Sequence, residues 1–454
     1  MNSQKETAKI SEFFDEVTAY EKAGRLDLAY EMASRLAQAV PTLAPALNLA
    51  GLLAYKRAEY DLALDWLNKA MALDDKDPAF PRNAALVHHA LRQSKEAAAY
   101  TERALELLPT DASLYFNKAL MLYDQLDLEA GLVAVNQALE RDPTYADAQF
   151  LKAELLLISN KFAEGWESYE GRFGTELGKG MLPPTLKPQW DGKPLQPGRL
   201  LLVADQGFGD CIQFARYIPW VTQRAPAPIL AASQELVPLL RQIPGLGKVV
   251  KDWGEVGEYD VYMPLSGLPR MAGTTPETIP APVPYLQVDP RKKAYWQARL
   301  NELLPAGVKR IGLVWAGRPT HARDRHRSIK LAQFAPLLNR DDAVFVSVQK
   351  GDRIDDVGAC FFSAPMLNLG PMIHDFTDTL AILQNLDHLV SVDTSVVHLA
   401  GASGVPTSLL LPFAPDWRWM LGREDSPWYP TIRLFRQKVS GDWDEVIKRL
   451  ATSL

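Results

Sequence analysis

Residues 389–406 read Leu-Val-Ser-Val-Asp-Thr-Ser-Val-Val-His-Leu-Ala-Gly-Ala-Ser-Gly-Val-Pro. The apolar run Leu389–Val392 suits a short buried strand. Asp393-Thr394-Ser395 ends it, a helix of small residues follows, and Gly404 and Pro406 close that helix. Thr394 and Ser395 fall at the helix start, where backbone N–H groups lack partners within the helix. Such a terminus attracts anions, and two hydroxyls add donors. His398 follows Thr394 by four residues and Ser395 by three, so it shares their face. Two readings stay open: a strand–helix turn with Asp393 or Thr394 as N-cap and His398 packed, or an anion site fit for a phosphate-bearing ligand.

The same strand-then-helix alternation extends outward from this stretch. Arg199–Ala204, Pro228–Ala232, Val249–Lys251 and Asp260–Met263 form one series of short apolar runs. Ile311–Trp315, Val344–Val348, Leu389–Val392 and Thr407–Leu411 form a second, with helical stretches such as Leu331–Leu338 and Asp378–Leu386 between them. Two successive series of this kind predict two doubly wound, Rossmann-like halves, 199–290 and 291–454, joined near residues 280–290. Ligands of such folds bind beyond the carboxyl ends of the strands. A segment crowded with proline and glycine, 176–198, precedes them and reads as a linker.

Before that linker the chain repeats itself. Pro41, Asp75, Pro109 and Pro143 are 34 residues apart, and so are Ala29, Ala63, Ala97 and Gly131. Gly51, Ala85, Ala119 and Ala153 keep the same step, and Ala70, Ala104 and Ala138 form a further ladder. A 34-residue period with small residues at fixed places is the tetratricopeptide pattern, in which two antiparallel helices approach closely. Residues 1–175 are therefore expected to form a helical solenoid, with 165–173 in its last, less regular unit. Such arrays offer a concave groove that suits a protein or peptide, although packing between copies is the plainer use.

Composition narrows the class. The 454 residues are 47% hydrophobic and 23% charged, which is ordinary for a globular chain of two or more domains. Residues 1–175 hold 18 Lys+Arg and 27 Asp+Glu, a balance of −9, and the remainder holds 31 and 28, a balance of +3. The acidic half argues against nucleic acid. Cys211 and Cys360 are far apart, without metal-ligand spacing, and point to a reducing compartment. No apolar run is long enough to span a bilayer, and the polar start MNSQKETAKISEFFDE lacks a signal-peptide core. The cytoplasm is the expected location.

Three constellations fall at expected strand ends. Ala204-Asp-Gln-Gly-Phe-Gly-Asp210 follows the first strand. Gly207 and Gly209 would permit close backbone approach and unusual φ values, and Asp210 is either the N-cap of a helix 211–220 or a carboxylate placed as a general base. Residues 315–330 carry Arg318, Arg323, Arg325, Arg327 and Lys330 against one acid, Asp324. This is either a solvated loop or a cation set for a diphosphate, with Arg325 and Arg327 the preferred contacts. Gln349 and Lys350 follow the strand 344–348 and either form a plain loop or reach a nucleotide. Trp417, Trp419, Trp428 and Tyr429 either stack on a ligand or anchor the chain's return across the two halves, and Arg418 among them is a lesser donor-site candidate.

The stretches LLLVADQGFGDCIQFARYIP, IGLVWAGRPTHARDRHRSI, VSVQKG and VSVDTSVVHLAGASGVPTSLLLPFAPDWRWMLGREDSPWYP carry a resemblance. They are similar to bacterial proteins that fuse tetratricopeptide repeats to a heptosyltransferase-like glycosyltransferase of family 9. The architecture also resembles, more distantly, the protein O-linked N-acetylglucosamine transferases. The resemblance implies a GT-B fold and metal-independent, inverting transfer from a nucleotide-sugar donor, with no further cofactor. It places Asp210 at the catalytic-base position and Asp393, Thr394, Ser395 and His398 in the donor-phosphate segment. Arg327 falls near a phosphate-binding cation, and Gln349 and Lys350 fall where the nucleotide is contacted. Ser395 stands where those enzymes commonly have glycine, and Asp205 where the fused proteins often have glutamate.

The implied partners are the nucleotide-sugar and an acceptor protein held by the repeats, with flagellin or another surface protein as a client by analogy. The alternatives are a transferase acting on a glycan or lipid-linked acceptor, and a non-catalytic repeat scaffold with a decayed transferase domain.

Overall fold

A computed structural model describes residues 2–280, 283–321 and 323–454. The chain divides into two compact units, Met1–Leu151 and Lys152–Leu454.

The first unit is built of helix pairs: Asn2–Lys22 with Leu26–Ala39, Ala44–Lys56 with Tyr60–Leu73, Ala79–Ala90 with Ser94–Leu107, and Ala112–Asp124 with Leu128–Arg141. Ala146–Ile158 and Phe162–Tyr169 continue the period across the division. The small-residue ladders are buried, as close helix packing requires: Ala29, Ala63, Ala97, Ala85, Ala119, Ala70, Ala104 and Ala138 all lie in the core. At Gly51 the approach is tighter still, since a methyl group there would fall 2.8 Å from Leu67 Cγ. Leu47, Leu53, Trp66, Leu67 and Phe80 fill the space around these ladders.

A second 34-residue register lies in the turns. Gly24, Ala58, Arg92, Leu126 and Asn160 all adopt positive φ, between 61° and 75°. Each sits between the two helices of a pair, where the chain must reverse within a few residues. Only the first is a glycine, so the others bear the steric cost of the left-handed conformation.

The second unit holds two parallel sheets. Strands β1 (Leu200–Val203), β2 (Ile229–Ala231), β3 (Lys248–Val250) and β4 (Val261–Pro264) lie in the order β3-β2-β1-β4. Strands β5 (Lys309–Val314), β6 (Ala343–Ser347), β7 (Met366–Asn368), β8 (His388–Val392), β9 (Thr407–Leu411) and β10 (Ile432–Arg436) lie in the order β10-β9-β8-β5-β6-β7. Among the described residues these strands pair in parallel throughout. β1, β6 and β9 are buried along their whole length, the mark of a sheet covered on both faces.

The eight strands expected from apolar runs are present, and β7 and β10 are additional. The β7 residues are only half-buried, and β10 carries the exposed Arg433, so neither has the continuous apolar run of a central strand. In the first sheet the strand order reverses between β1 and β4, and in the second between β5 and β8. Crevices at such switch points open at the strands' carboxyl ends.

Packing defines the segments on either side of residue 175. The compact division falls at Leu151 while the helical period runs on to Tyr169, and Trp166, Tyr169 and Arg172 are buried: the Trp166 indole donates to the Thr274 carbonyl at 2.9 Å and stacks edge-on against Trp417 at 5.3 Å. Segment 176–198 is irregular but pinned. Trp190 is buried, its backbone N–H donates to the Tyr262 carbonyl at 2.8 Å, and Gln189 forms a bridge to Tyr262 of β4. The joint expected near 280–290 includes residues 281 and 282, which lie outside the described residues. Pro290–Leu303 forms the helix that follows it, capped by Asp289.

Candidate functional site

The carboxyl end of β1 leads through residues 204–207 into the helix Phe208–Phe214. The N-cap is Gly207, with φ −61° and no side-chain cap bond, so Asp210 stands in the first turn and is not the cap. Gly207 and Gly209 are not among the positive-φ residues, and the expectation of unusual φ is corrected. The close approach is real at Gly209. A methyl group there would lie 2.7 Å from His398 Cδ2 and 3.3 Å from its Nε2. The missing side chain admits the imidazole of the facing helix, Ser395–Ala402.

That second helix starts at the carboxyl end of β8. Its N-cap is Thr394, in extended conformation, with no side-chain cap bond. Thr394 Oγ1 is buried and has no hydrogen-bond partner, and Ser395 beside it is half-buried. Asp393 is buried, and desolvation raises its carboxyl above the usual range. His398 is 2% exposed. Its Nδ1 and the Tyr429 hydroxyl share a hydrogen bond of 2.9 Å, and its ring stacks on Trp419 at 5.5 Å. Burial, then the charges of Arg418, Arg216 and Arg327, hold the imidazole well below its ordinary pKa, so it is neutral. His398 thus lies in the seam between the two helices, and Asp393 Oδ1 is 3.9 Å from its Nε2.

Across this seam lies the residue that the sequence underweighted. Asp416 caps the short 3-10 turn Trp417–Trp419. From that turn Arg418 reaches back: its Nη2 donates to Asp210 Oδ1 at 2.5 Å and its Nε lies 3.4 Å from Asp416 Oδ1. Burial raises the Asp210 carboxyl, and the Arg418 cation partly offsets that rise. Burial opposes the Arg418 charge, yet Asp416 and Asp210 outweigh it and push its pKa up. The signal in the sequence was an arginine inside an aromatic run, since a buried cation requires an anion partner. Arg216 makes a second bridge. Its guanidinium donates to the Trp428 carbonyl at 2.8 Å and lies over the rings of Tyr285, Trp428 and Tyr429.

The remaining candidates divide. Arg327 ends the short helix Asp324–Arg327, 3.6 Å from Asp324, with its Nε buried and without a hydrogen-bond partner. Its charge acts on Asp393, so it belongs with the strand-end group. Arg325 is exposed, and its Nε donates to the His326 ring at 3.0 Å.

Gln349 and Lys350 do not present free groups. Gln349 Oε1 accepts from the backbone of Trp315 and Ala316, and its Nε2 donates to the carbonyls of Ala316 and Lys350. Lys350 Nζ donates to the carbonyls of Gly370 and Ile373, 3.0 Å each. Both tie loops together at the ends of β5 and β6, where the plain-loop reading and the nucleotide reading had placed them. Trp417, Trp419, Trp428 and Tyr429 are fully buried and serve as the anchor.

Among the described residues no group of three or more His, Cys, Asp or Glu is placed to hold a metal ion. Asp442 and Asp444, the Asp-x-Asp spacing of this unit, are engaged in hydrogen bonds: Asp442 caps the helix Trp443–Ala451, and Asp444 accepts from Gln333. Nor is any described helix long and apolar enough to cross a membrane.

Fold and site define a class: tetratricopeptide-type helical repeats joined to an α/β unit of two parallel sheets. No family model matches the chain. Among curated proteins, Protein FlbA of Caulobacter vibrioides is 27% identical over 387 residues, covering 78% of this chain and 63% of that protein. The chain thus spans less than two thirds of that relative's length. Solved structures with similarity include MamA, at 15% identity over 34% of this chain and 91% of that one, with a TM-score of 0.30. YrrB, a TPR protein with an unusual peptide-binding site, has 20% identity over 36% and 83%, with a TM-score of 0.28. A thermophilic TPR protein of Thermus thermophilus has 18% identity over 37% and 91%, with a TM-score of 0.34.

Proposed function

We propose that this chain is an inverting, metal-independent glycosyltransferase of GT-B build, which moves a sugar from a nucleotide-sugar donor to a hydroxyl of a protein held by the repeats. One observation carries the reading: Asp210, at the first sheet's switch point, meets the buried cation Arg418, whose charge also acts on Asp393 at the carboxyl end of β8. A carboxylate raised by burial is a suitable general base. The acceptor oxygen attacks the anomeric carbon, its proton passes to Asp210, and the bond to the diphosphate breaks with its electron pair on the phosphate oxygen. Arg418, Arg327, Thr394, Ser395 and the uncapped helix start oppose that developing charge. His398, neutral and enclosed, orients the helix rather than supplying a charge.

The test is mass spectrometry of a client such as flagellin, co-expressed with the wild-type chain or with Asp210→Asn. The added sugar mass is expected only with the wild type. Transfer should also fall as acidity rises through the Asp210 pKa, with its acid limb above the ordinary aspartate value of about 3.9, because the base must be ionised. Equal modification by both proteins would remove Asp210 from the mechanism.

A second reading, a non-catalytic repeat scaffold, draws support from one observation: the amide of Gln349 and the ammonium of Lys350 are spent on internal bonds. Absence of binding to every nucleotide diphosphate would favour it.

A further inference from the structure

The ion pair between Asp210 and Arg418 joins residues 208 positions apart, and the arginine is 9% exposed. A carboxylate held this closely by a guanidinium is a weaker proton acceptor than the same carboxylate released, because taking the proton forfeits a charge-assisted bond. The ion pair therefore restrains the proposed base. The restraining cation borders the strand-end segment: its charge acts on both Asp393 and His398. Thr394 Oγ1 in that segment has no hydrogen-bond partner, nor has the Nε of Arg327, whose charge also acts on Asp393, and no side chain caps the helix start. Arg418 also has a second anchor, Asp416, which caps its own turn and would keep the arginine in place if Asp210 were released.

We infer that Arg418 is a donor-operated latch: without donor it holds Asp210, and on donor binding its guanidinium passes to the nucleotide diphosphate and frees Asp210 to act as base. The inference rests on the transferase reading of this site. The exchange swaps one anion for another around a cation that stays tethered to Asp416. Asp210 and the diphosphate then compete for Arg418, and thermodynamic linkage makes each weaken the other's hold by the same factor. In the reacting complex the acceptor's proton goes to Asp210, and the electron pair of the broken bond stays on the diphosphate beside Arg418. The base is strong only while a donor is in place.

The competition predicts a sign that a purely structural ion pair does not. UDP, GDP, CDP, ADP and dTDP are titrated in turn by calorimetry against the full chain as wild type, Asp210→Asn, Arg418→Ala and the double variant, with melting curves to check folding. The diphosphate that binds the wild type should bind Asp210→Asn more tightly, by roughly fivefold or more. Arg418→Ala should bind it more weakly by a similar factor, and Asp210→Asn should add nothing on the Arg418→Ala background. Equal or weaker binding by Asp210→Asn, with a wild type that binds and transfers, overturns the latch and leaves the transferase standing. Failure of all five to bind both the wild type and Asp210→Asn overturns latch and transferase together. Should Asp210→Asn not fold, Asp210→Ser carries the same comparison.

Discussion

Gly209 and His398 lie so close that a methyl group on the glycine would stand 2.7 Å from the imidazole Cδ2. This pair sets the distance between the helices that carry Asp210 and Thr394. Gly209→Ala must therefore push the ring, which is stacked on Trp419 and bonded to Tyr429. The expected cost is about 1–3 kcal/mol of stability, read by chemical denaturation. Nucleotide diphosphate affinity should fall with it. An alanine variant as stable as the wild type would show that the seam is loose.

His398 makes stability depend on pH in a defined direction. Its folded pKa lies well below 6.5, the unfolded value. Between the two the unfolded chain binds the extra proton, so stability falls as pH drops below 6.5, by about 1.4 kcal/mol per pH unit from this group. Urea unfolding at pH 7.5, 6.5 and 5.5 should show that slope in the wild type and a shallower one in His398→Asn. Equal slopes in both proteins would mean that the imidazole is solvated.

In the repeats, Ala58 and Arg92 sit at φ 62° and 61°, in the position that Gly24 occupies in the first pair. Both are exposed, so little packing is lost on replacement. Ala58→Gly and Arg92→Gly should each stabilise by about 0.5–1 kcal/mol, because relief of the left-handed conformation exceeds the added freedom of the unfolded chain. Thermal melting of the single and double variants reads this, and the two gains should add.

Gln349 is a structural clamp. Its amide makes four bonds to the backbone of Trp315, Ala316 and Lys350. Gln349→Ala leaves those buried groups unpaired and should cost about 2–4 kcal/mol. The melting temperature should drop while diphosphate affinity at low temperature stays within about twofold. A large loss of affinity without destabilisation would restore the nucleotide-contact reading.

Much of the architecture is legible in the sequence. The 34-residue ladders mark helix pairs because only small side chains let two helices approach, and that constraint acts locally, residue by residue. The apolar runs of β1, β5, β6, β8 and β9 were equally plain, since strands buried on both faces cannot alternate. The site was legible only in part. Asp210, Thr394, Ser395 and Arg327 could be placed at strand ends from local pattern, but local pattern could not say which side chains would be consumed by internal bonds. Gln349 and Lys350 turned inward, and Arg325 found His326.

By itself, then, the sequence determined the elements, their period and the strand ends at which polar residues collect, all properties of neighbours along the chain. The tertiary structure alone decided that His398 would be neutral and enclosed, that Gly209 would serve a ring rather than a ligand, and that Arg418 would cross 208 positions to hold Asp210. Charge states and partners depend on burial and on residues remote in sequence, and those are set only when the two sheets are brought together.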